Sequence, residues 1–242
     1  MQRKTRFEFI LAVPGSAGKY GLLAEPTAQK APLGRIPVLE EVRDLTEPVV
    51  LAESAAIMSY LAASHGWTDL YPTALSARGQ VDSYCHWHHG ATRALSSIAI
   101  PHIRPDEFPE AFKAGSMERR RERAAEALRL LDEHWIGEGH FIARQAAPTI
   151  ADFLAYGEVG QMLPEYTGLM DLSSYRNVVG WVARMQSLEG YAAAHASLLE
   201  LGALKAPQEY DHPQPLLKRL GAATKAGLKA YADAQAGYEQ SS

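Results

Sequence analysis

Leu51-Ala52-Glu53-Ser54-Ala55-Ala56-Ile57-Met58-Ser59-Tyr60-Leu61 runs from a short apolar stretch straight into a helical pattern. Val49 to Ala52 follows a charged turn and reads as a strand. From Glu53 to Ser64 the apolar residues Ala56, Ile57, Tyr60 and Leu61 pair as one helix face, and Gly66 is the stop. An acid and a hydroxyl therefore stand at a helix start. Free backbone N–H groups and the helix dipole make such a terminus a carboxylate site, to which the Ser54 hydroxyl adds a donor while Glu53 offers a partner for an ammonium. A single α-amino acid head group would satisfy both residues; a plain N-cap serine is the alternative for Ser54.

Upstream, Gly34-Arg35-Ile36-Pro37-Val38-Leu39 reads as a turn feeding another short strand. Ile36-Pro37 is a candidate cis peptide, because X-Pro is the bond at which cis costs only about 0.5–1 kcal/mol. A cis bond there would turn the Ile36 N–H and C=O outward, where they could pair with a small peptide as a sheet edge does; an ordinary trans proline opening an edge strand is the alternative. Further back, Arg3, Lys4 and Arg6 precede the apolar run Phe7 to Val13, which superficially resembles a secretion signal. Glu8 interrupts a run already at the minimum length, and a strand over Arg6 to Val13 accounts for it. Gly15, Gly18, Gly21 and Pro26 then mark a loop. Residues 1–65 make a small mixed α and β domain.

Downstream, Trp67 to Pro72 has the look of a linker, placed at residues 66–74, and everything after it is helical in pattern. Val81, Tyr84, Cys85, His88, Leu95 and Ile98 form one apolar stripe; Met117, Ala124, Leu128, Leu131 and Trp135 form a second. Pro101, Pro105 and Pro109 are expected to break the chain between the two. Pro148-Thr149-Ile150-Ala151-Asp152-Phe153 is a helix start of the capping-box kind, Thr149 and Asp152 satisfying each other's N–H and Pro148 stapling against Phe153. That helix is expected to reach Leu163, before Pro164, and another to span Tyr175 to Leu188 with Val178, Val182, Met185 and Leu188 inward. An all-helical domain over residues 75–205 is followed by an extension, 206–242, whose segment Pro213 to Gly237 reads as a surface helix.

Composition sets limits. The 242 residues are 47% hydrophobic and 21% charged, ordinary for a folded soluble chain. No stretch approaches the ~20 apolar residues of a bilayer span. A single cysteine, Cys85, excludes a disulfide framework and a cysteine metal cluster. The net charge of −4 offers no general attraction to nucleic acid, leaving small molecules and proteins as partners in a cytoplasmic setting.

Four segments taken together, Gly34 to Leu39, Leu51 to Leu61, Ala77-Arg78-Gly79-Gln80-Val81-Asp82-Ser83-Tyr84 and Thr149-Ile150-Ala151-Asp152, resemble glutathione transferases in order and spacing. Trp87-His88-His89-Gly90-Ala91-Thr92-Arg93 is most similar to the theta class. The resemblance implies an α+β, thioredoxin-like, glutathione-binding N-terminal domain followed by an all-α helical-bundle domain. It implies glutathione as co-substrate with no resident cofactor or metal, thiolate attack on a small electrophile, and a homodimer. Ile36 then resembles the residue before the cis proline whose backbone pairs with the cysteinyl unit. Glu53 and Ser54 resemble the pair that holds the γ-glutamyl head, Arg35 a basic residue near the glycyl end, and Asp152 the family's folding cap.

Counting back from Pro37, Arg6 to Val13 falls on the family's second strand, so the first strand, its catalytic turn and the first helix are expected to be missing from the chain as given. Ser16 is the local substitute for the catalytic hydroxyl, yet the residues between it and Pro37 are too few for two helices and a strand. Asp82, His86, His89 and Arg93 recur at helical spacing on a polar face opposite the apolar stripe. A solvated or subunit-facing surface accounts for that face. Arg93 resembles a theta-class arginine near the active site, where a fixed cation could stabilise a thiolate or an anionic leaving group. His86 and His89 lack a third organised ligand, so no metal is assigned. The catalytic candidates are Arg93 and Ser16. The alternative is a catalytically silent member serving as a ligand-binding or assembly module.

Overall fold

The computed structural model describes residues 36–42, 47–103, 105 and 108–203, with the single positions 7, 226 and 229. The strand read over Arg6 to Val13, apart from the exposed Phe7, the segment carrying Ser16, and Arg35 lie outside these residues. So does the C-terminal extension, apart from helical backbone at Ala226 and Lys229. The chain divides into two compact units at Arg78 and Gly79.

In the N-terminal unit, β1 (Val38–Glu41) and β2 (Val49–Ala52) form an antiparallel pair with Val38 opposite Ala52 and Glu41 opposite Val49. The branched apolar residues Val38, Val49 and Val50 favour both strands. The chain passes from Ala52 through Glu53 into α1 (Ser54–Ser64). Of the face read from sequence only Ile57 is buried; Ala62 joins it and Ala56 is exposed. The Tyr60 hydroxyl donates to Glu41 Oε2 at 2.5 Å and ties α1 to β1. Helix α1 ends as expected at Gly66, whose φ of 66° lets the Trp67 N–H reach back to Ala62 O at 2.8 Å. The described part of this unit is thus a strand pair and a packed helix, consistent with a thioredoxin-like half.

The C-terminal unit is helical. Helix α2 (Leu75–Gly90), a 3₁₀ turn Thr92–Ala94 and α3 (Ser96–Ile103) carry the first stripe, and Val81, Tyr84, Cys85, His88, Leu95 and Ile98 are all buried. Helix α4 (Ser116–Leu130) continues into a wider π turn, Leu131–Ile136, which Gly137 ends at φ 66°. From the second stripe Ala124, Leu128 and Leu131 are buried. Helix α5 (Ile150–Val159) is extended by a 3₁₀ turn to Met162, and α6 (Arg176–Gln186) follows. Two short helices, α7 (Tyr191–Ala194) and α8 (Ala196–Leu201), complete the described chain. Trp181, which the sequence reading left out of the α6 core face, is the largest fully buried side chain among the described residues.

Pro101 corrects an expectation: it lies inside α3 and does not break it. A proline has no N–H for the carbonyl four residues back, here that of Ser97. Arg120 on α4 supplies the missing donor, its Nη1 lying 3.0 Å from Ser97 O. The break comes later, and Pro109 opens a 3₁₀ turn, Pro109–Phe112.

At the start of α5 the capping box is closed. Asp152 Oδ2 accepts from the Thr149 N–H at 2.7 Å and from the Thr149 hydroxyl at 3.1 Å. Its Oδ1 accepts from the Ile142 N–H at 2.8 Å and from Trp181 Nε1 at 2.9 Å. One fully buried carboxylate therefore joins the turn Ile142–Arg144, the start of α5 and the middle of α6. Phe153, the residue expected to staple against Pro148, is 43% exposed.

Candidate functional site

The register of the strand pair sets one end of the N-terminal unit. Val38 lies opposite Ala52, so Ile36-Pro37 at the mouth of β1 and Glu53-Ser54 at the exit of β2 stand at the same end of the hairpin. Ile36-Pro37 is cis, and Ile36 is exposed. Glu53 has φ 70° and ψ 118°, a region that a residue with a Cβ enters only at a cost of order 1–3 kcal/mol. Its side chain makes no capping hydrogen bond.

Ser54 is the first helical residue, not the residue before the helix, so it does not act as the plain N-cap that was its alternative reading. Its half-buried hydroxyl has no hydrogen-bond partner among the described residues. The first-turn N–H groups of α1, that hydroxyl and an exposed carboxylate thus share one end of the unit. Together they can take a carboxylate and an ammonium at once.

In the helical unit, Asp82, His86 and His89 lie on α2, with His86 and His89 exposed and Asp82 half-buried. Arg93 lies beyond the end of α2, in the 3₁₀ turn, and is exposed. The helical spacing that joined it to the other three is therefore interrupted at Ala91, whose φ is −127°. No cluster of three or more metal-ligating side chains occurs among the described residues.

On the opposite side of α2 lies a buried polar cluster that sequence reasoning missed. His88 is 1% exposed, with Nε2 3.7 Å from Glu158 Oε1 and Nδ1 without a partner among the described residues. Ser96 donates to Glu158 Oε2, and Gln161 Nε2 donates to Ser96 Oγ at 2.9 Å. Burial, with the basic neighbours His89 and Arg93, pushes the His88 imidazole down to about 4, while burial raises the Glu158 carboxyl. His88 is therefore neutral at pH 7, and its contact with Glu158 is not an ion pair. Burial likewise pushes the Cys85 thiol up to about 12, which excludes it as a nucleophile at neutral pH.

His88 makes stability fall in acid. The unfolded imidazole titrates near 6.5 and the folded one near 4, so the unfolded chain binds the extra proton between those values. Its contribution is complete above about pH 6.5 and is lost as pH falls through 4. Asp152 and Glu158 are raised by burial and work in the opposite direction, so the readout is the difference between wild type and His88→Gln. Between pH 7 and pH 4, urea titrations should show the wild type losing roughly 2–3 kcal/mol more than the variant. Parallel curves would place the acid sensitivity elsewhere.

Among the described residues no helix is long and apolar enough to cross a membrane. No family model matches the chain. Human glutathione S-transferase theta-2 is 27% identical over 188 residues, which cover 76% of this chain and 74% of that protein. Among solved structures, apo human glutathione S-transferase T1-1 superposes with a TM-score of 0.61 at 24% identity, covering 85% of this chain and 84% of that one. Human theta-2 in complex with glutathione and an unknown ligand also gives 0.61, at 23% identity and 84% coverage of both chains. In sequence the chain is thus similar to theta-class glutathione S-transferases over three quarters of its length, and its fold is theirs.

Proposed function

We propose that this protein binds glutathione and acts as a glutathione transferase-like enzyme, its thiolate attacking a small electrophile. The observation that carries the reading is the end of the N-terminal unit shared by a cis Ile36-Pro37, the exposed carboxylate of Glu53 and the hydroxyl of Ser54, which has no hydrogen-bond partner among the described residues. In this reading the head group of the tripeptide sits on Ser54, Glu53 and the first turn of α1. The backbone of Ile36 pairs with the cysteinyl unit, and Arg35 stands near the glycyl carboxylate. The theta-2 relative, solved in complex with glutathione, supports the ligand. The same reading makes the protein a cytoplasmic homodimer with no resident cofactor.

Chemistry needs more than binding. A free thiol titrates near ~8.5, so only a few per cent is thiolate at neutral pH, and a transferase must supply a donor or cation that lowers this value. Arg93 and Ser16 are the groups we assign to that task, Arg93 as the principal one. Steady-state conjugation of glutathione with an alkyl halide tests the assignment. Arg93→Ala should lower kcat/KM by about tenfold or more, the loss expected for one charged contact, and Ser16→Ala by less. Turnover abolished by Ser16→Ala and untouched by Arg93→Ala would make Ser16 the catalytic hydroxyl. Glutathione binding without turnover in any of the three proteins would favour the silent ligand-binding module.

A further inference from the structure

The C-terminal unit contains a groove of about 420 Å³ between the turn that joins α2 to α3 and the first half of α4. Arg93 and Ser97 line one wall, and Arg119, Arg120 and Arg123 line the other. Four guanidinium groups thus face one space, and no carboxylate lines it among the described residues. The room comes from small side chains, because Gly90 and Ala94 stand where larger residues would fill the groove.

Spacing explains the concentration of charge. In Glu118-Arg119-Arg120-Arg121-Glu122-Arg123, positions 119, 120 and 123 fall on one side of the helix, while Glu118, Arg121 and Glu122 are not among the groove's lining residues. Further along α4 the arrangement differs. Arg129 is held between Glu126 at 2.8 Å and Glu133 at 2.6 Å, so on this same helix an arginine beside acids pairs with them. Arg119 and Arg123 have no such partner among the described residues.

Arg120 is anchored, its Nη1 on Ser97 O, and its Nε is buried with no acceptor among the described residues. Four guanidinium groups lining one cavity of small-molecule size, with no carboxylate among its described lining residues, make a set of donors suited to an anion. Guanidinium forks match the oxygens of phosphoryl and sulfonyl groups in pairs, and several forks match a ligand with more than one such group.

We propose that this groove binds a small polyanion, a molecule carrying two or more phosphoryl or sulfonate groups, with Arg119, Arg120 and Arg123 as its principal contacts. The groove lies within the helical unit and shares Arg93 with the proposed transferase reading, but its principal contacts, Arg119, Arg120 and Arg123, play no part in that reading.

Calorimetry of the whole chain with inorganic pyrophosphate, at low and at moderate salt, tests the proposal. One saturable site is expected, weakening as salt rises. The double variant Arg119→Gln/Arg123→Gln should weaken it roughly tenfold or more, since each lost charged hydrogen bond removes about that much. Both residues are exposed and bond no described neighbour, so the variant should fold, and its urea midpoint verifies this. Arg120→Gln should weaken binding as well. Arg121→Gln removes one positive charge from the same run without touching the groove and should leave the affinity unchanged.

Inorganic sulfate is the second probe: weaker binding than pyrophosphate is the expected result, and equal affinity would overturn the requirement for two anionic groups. No saturable heat would overturn the proposal. So would equal weakening by Arg121→Gln and by Arg119→Gln/Arg123→Gln, because the attraction would then be the general charge of α4. Glutathione affinity, measured on the same preparations, is a separate readout and decides only the proposed transferase function.

Discussion

Asp152→Ala is expected to lower the stability of the helical unit by roughly 3–5 kcal/mol, the loss of a helix cap together with buried donors left without an acceptor. A capping box alone is worth about 0.5–2 kcal/mol. The difference comes from the other oxygen. Oδ1 takes the Ile142 N–H and Trp181 Nε1, and both would be left buried without an acceptor, each at a cost of about 1–3 kcal/mol where water does not enter. Asp152→Asn separates the two halves. Its carbonyl can still receive Ile142 and Trp181, while its amide meets the Thr149 N–H as a second donor, so an intermediate loss is expected. Urea titration at pH 7 ranks the three proteins. A loss for Asp152→Ala no larger than that of an isolated cap would mean that the Trp181 and Ile142 contacts add nothing.

The acid dependence of this residue has a definite sign. Burial pushes the Asp152 carboxyl up to about 6 from an ordinary 3.8, and the four donors hold it from rising further. The folded chain then binds the proton more readily than the unfolded one between those values. Its titration adds stability that is complete below about pH 4 and fades as pH rises through 6, the reverse of His88.

Local pattern carried the sequence reading where neighbours along the chain decide the outcome. The bounds of β2, the stop at Gly66, the cap at Thr149 and the buried stripe from Val81 to Ile98 all follow from spacing and turn chemistry. What was not legible depends on contacts distant in sequence. Pro101 breaks a helix only if nothing replaces its N–H, and the replacement is a guanidinium on another helix. Trp181 falls on the helical period with Val178, Val182 and Met185 and was within reach of spacing; only its hydrogen bond to a carboxylate 29 residues away was not. Glu158 carries no signature as the partner of His88, since the two meet only when α5 packs on α2.

The candidate sites divide along the same line. Residue types placed Glu53 and Ser54 at a helix start, but no sequence rule foretells a glutamate at φ 70°. The arginine run Arg119-Arg120-Arg121 was in plain view and passed over, because a net charge of −4 averages away a local excess of positive charge. Spacing also joined Arg93 to the polar face of α2, although the helix ends before reaching it. Periodicity is valid only while the helix lasts.

Glutathione binding is expected to weaken by tenfold to about a hundredfold in Ser54→Ala, because a hydroxyl donating to a carboxylate contributes roughly 1.5–3 kcal/mol. Glu53→Gln should weaken it as well, through loss of the charge that faces the ammonium. Glu53→Gly is the more informative variant. Glycine occupies φ 70° without the Cβ clash, so the strain of order 1–3 kcal/mol is relieved, against about 0.5–1 kcal/mol of added backbone entropy in the unfolded chain. The backbone contribution to the stability of the N-terminal unit should therefore rise by up to about 2 kcal/mol, while the affinity for glutathione falls. A backbone strained only by accident would show the gain in stability without the loss of binding. If calorimetry finds full affinity in Ser54→Ala, Glu53→Gln and Glu53→Gly alike, the head group of the tripeptide does not sit on this end of the hairpin, and the site assigned here is wrong.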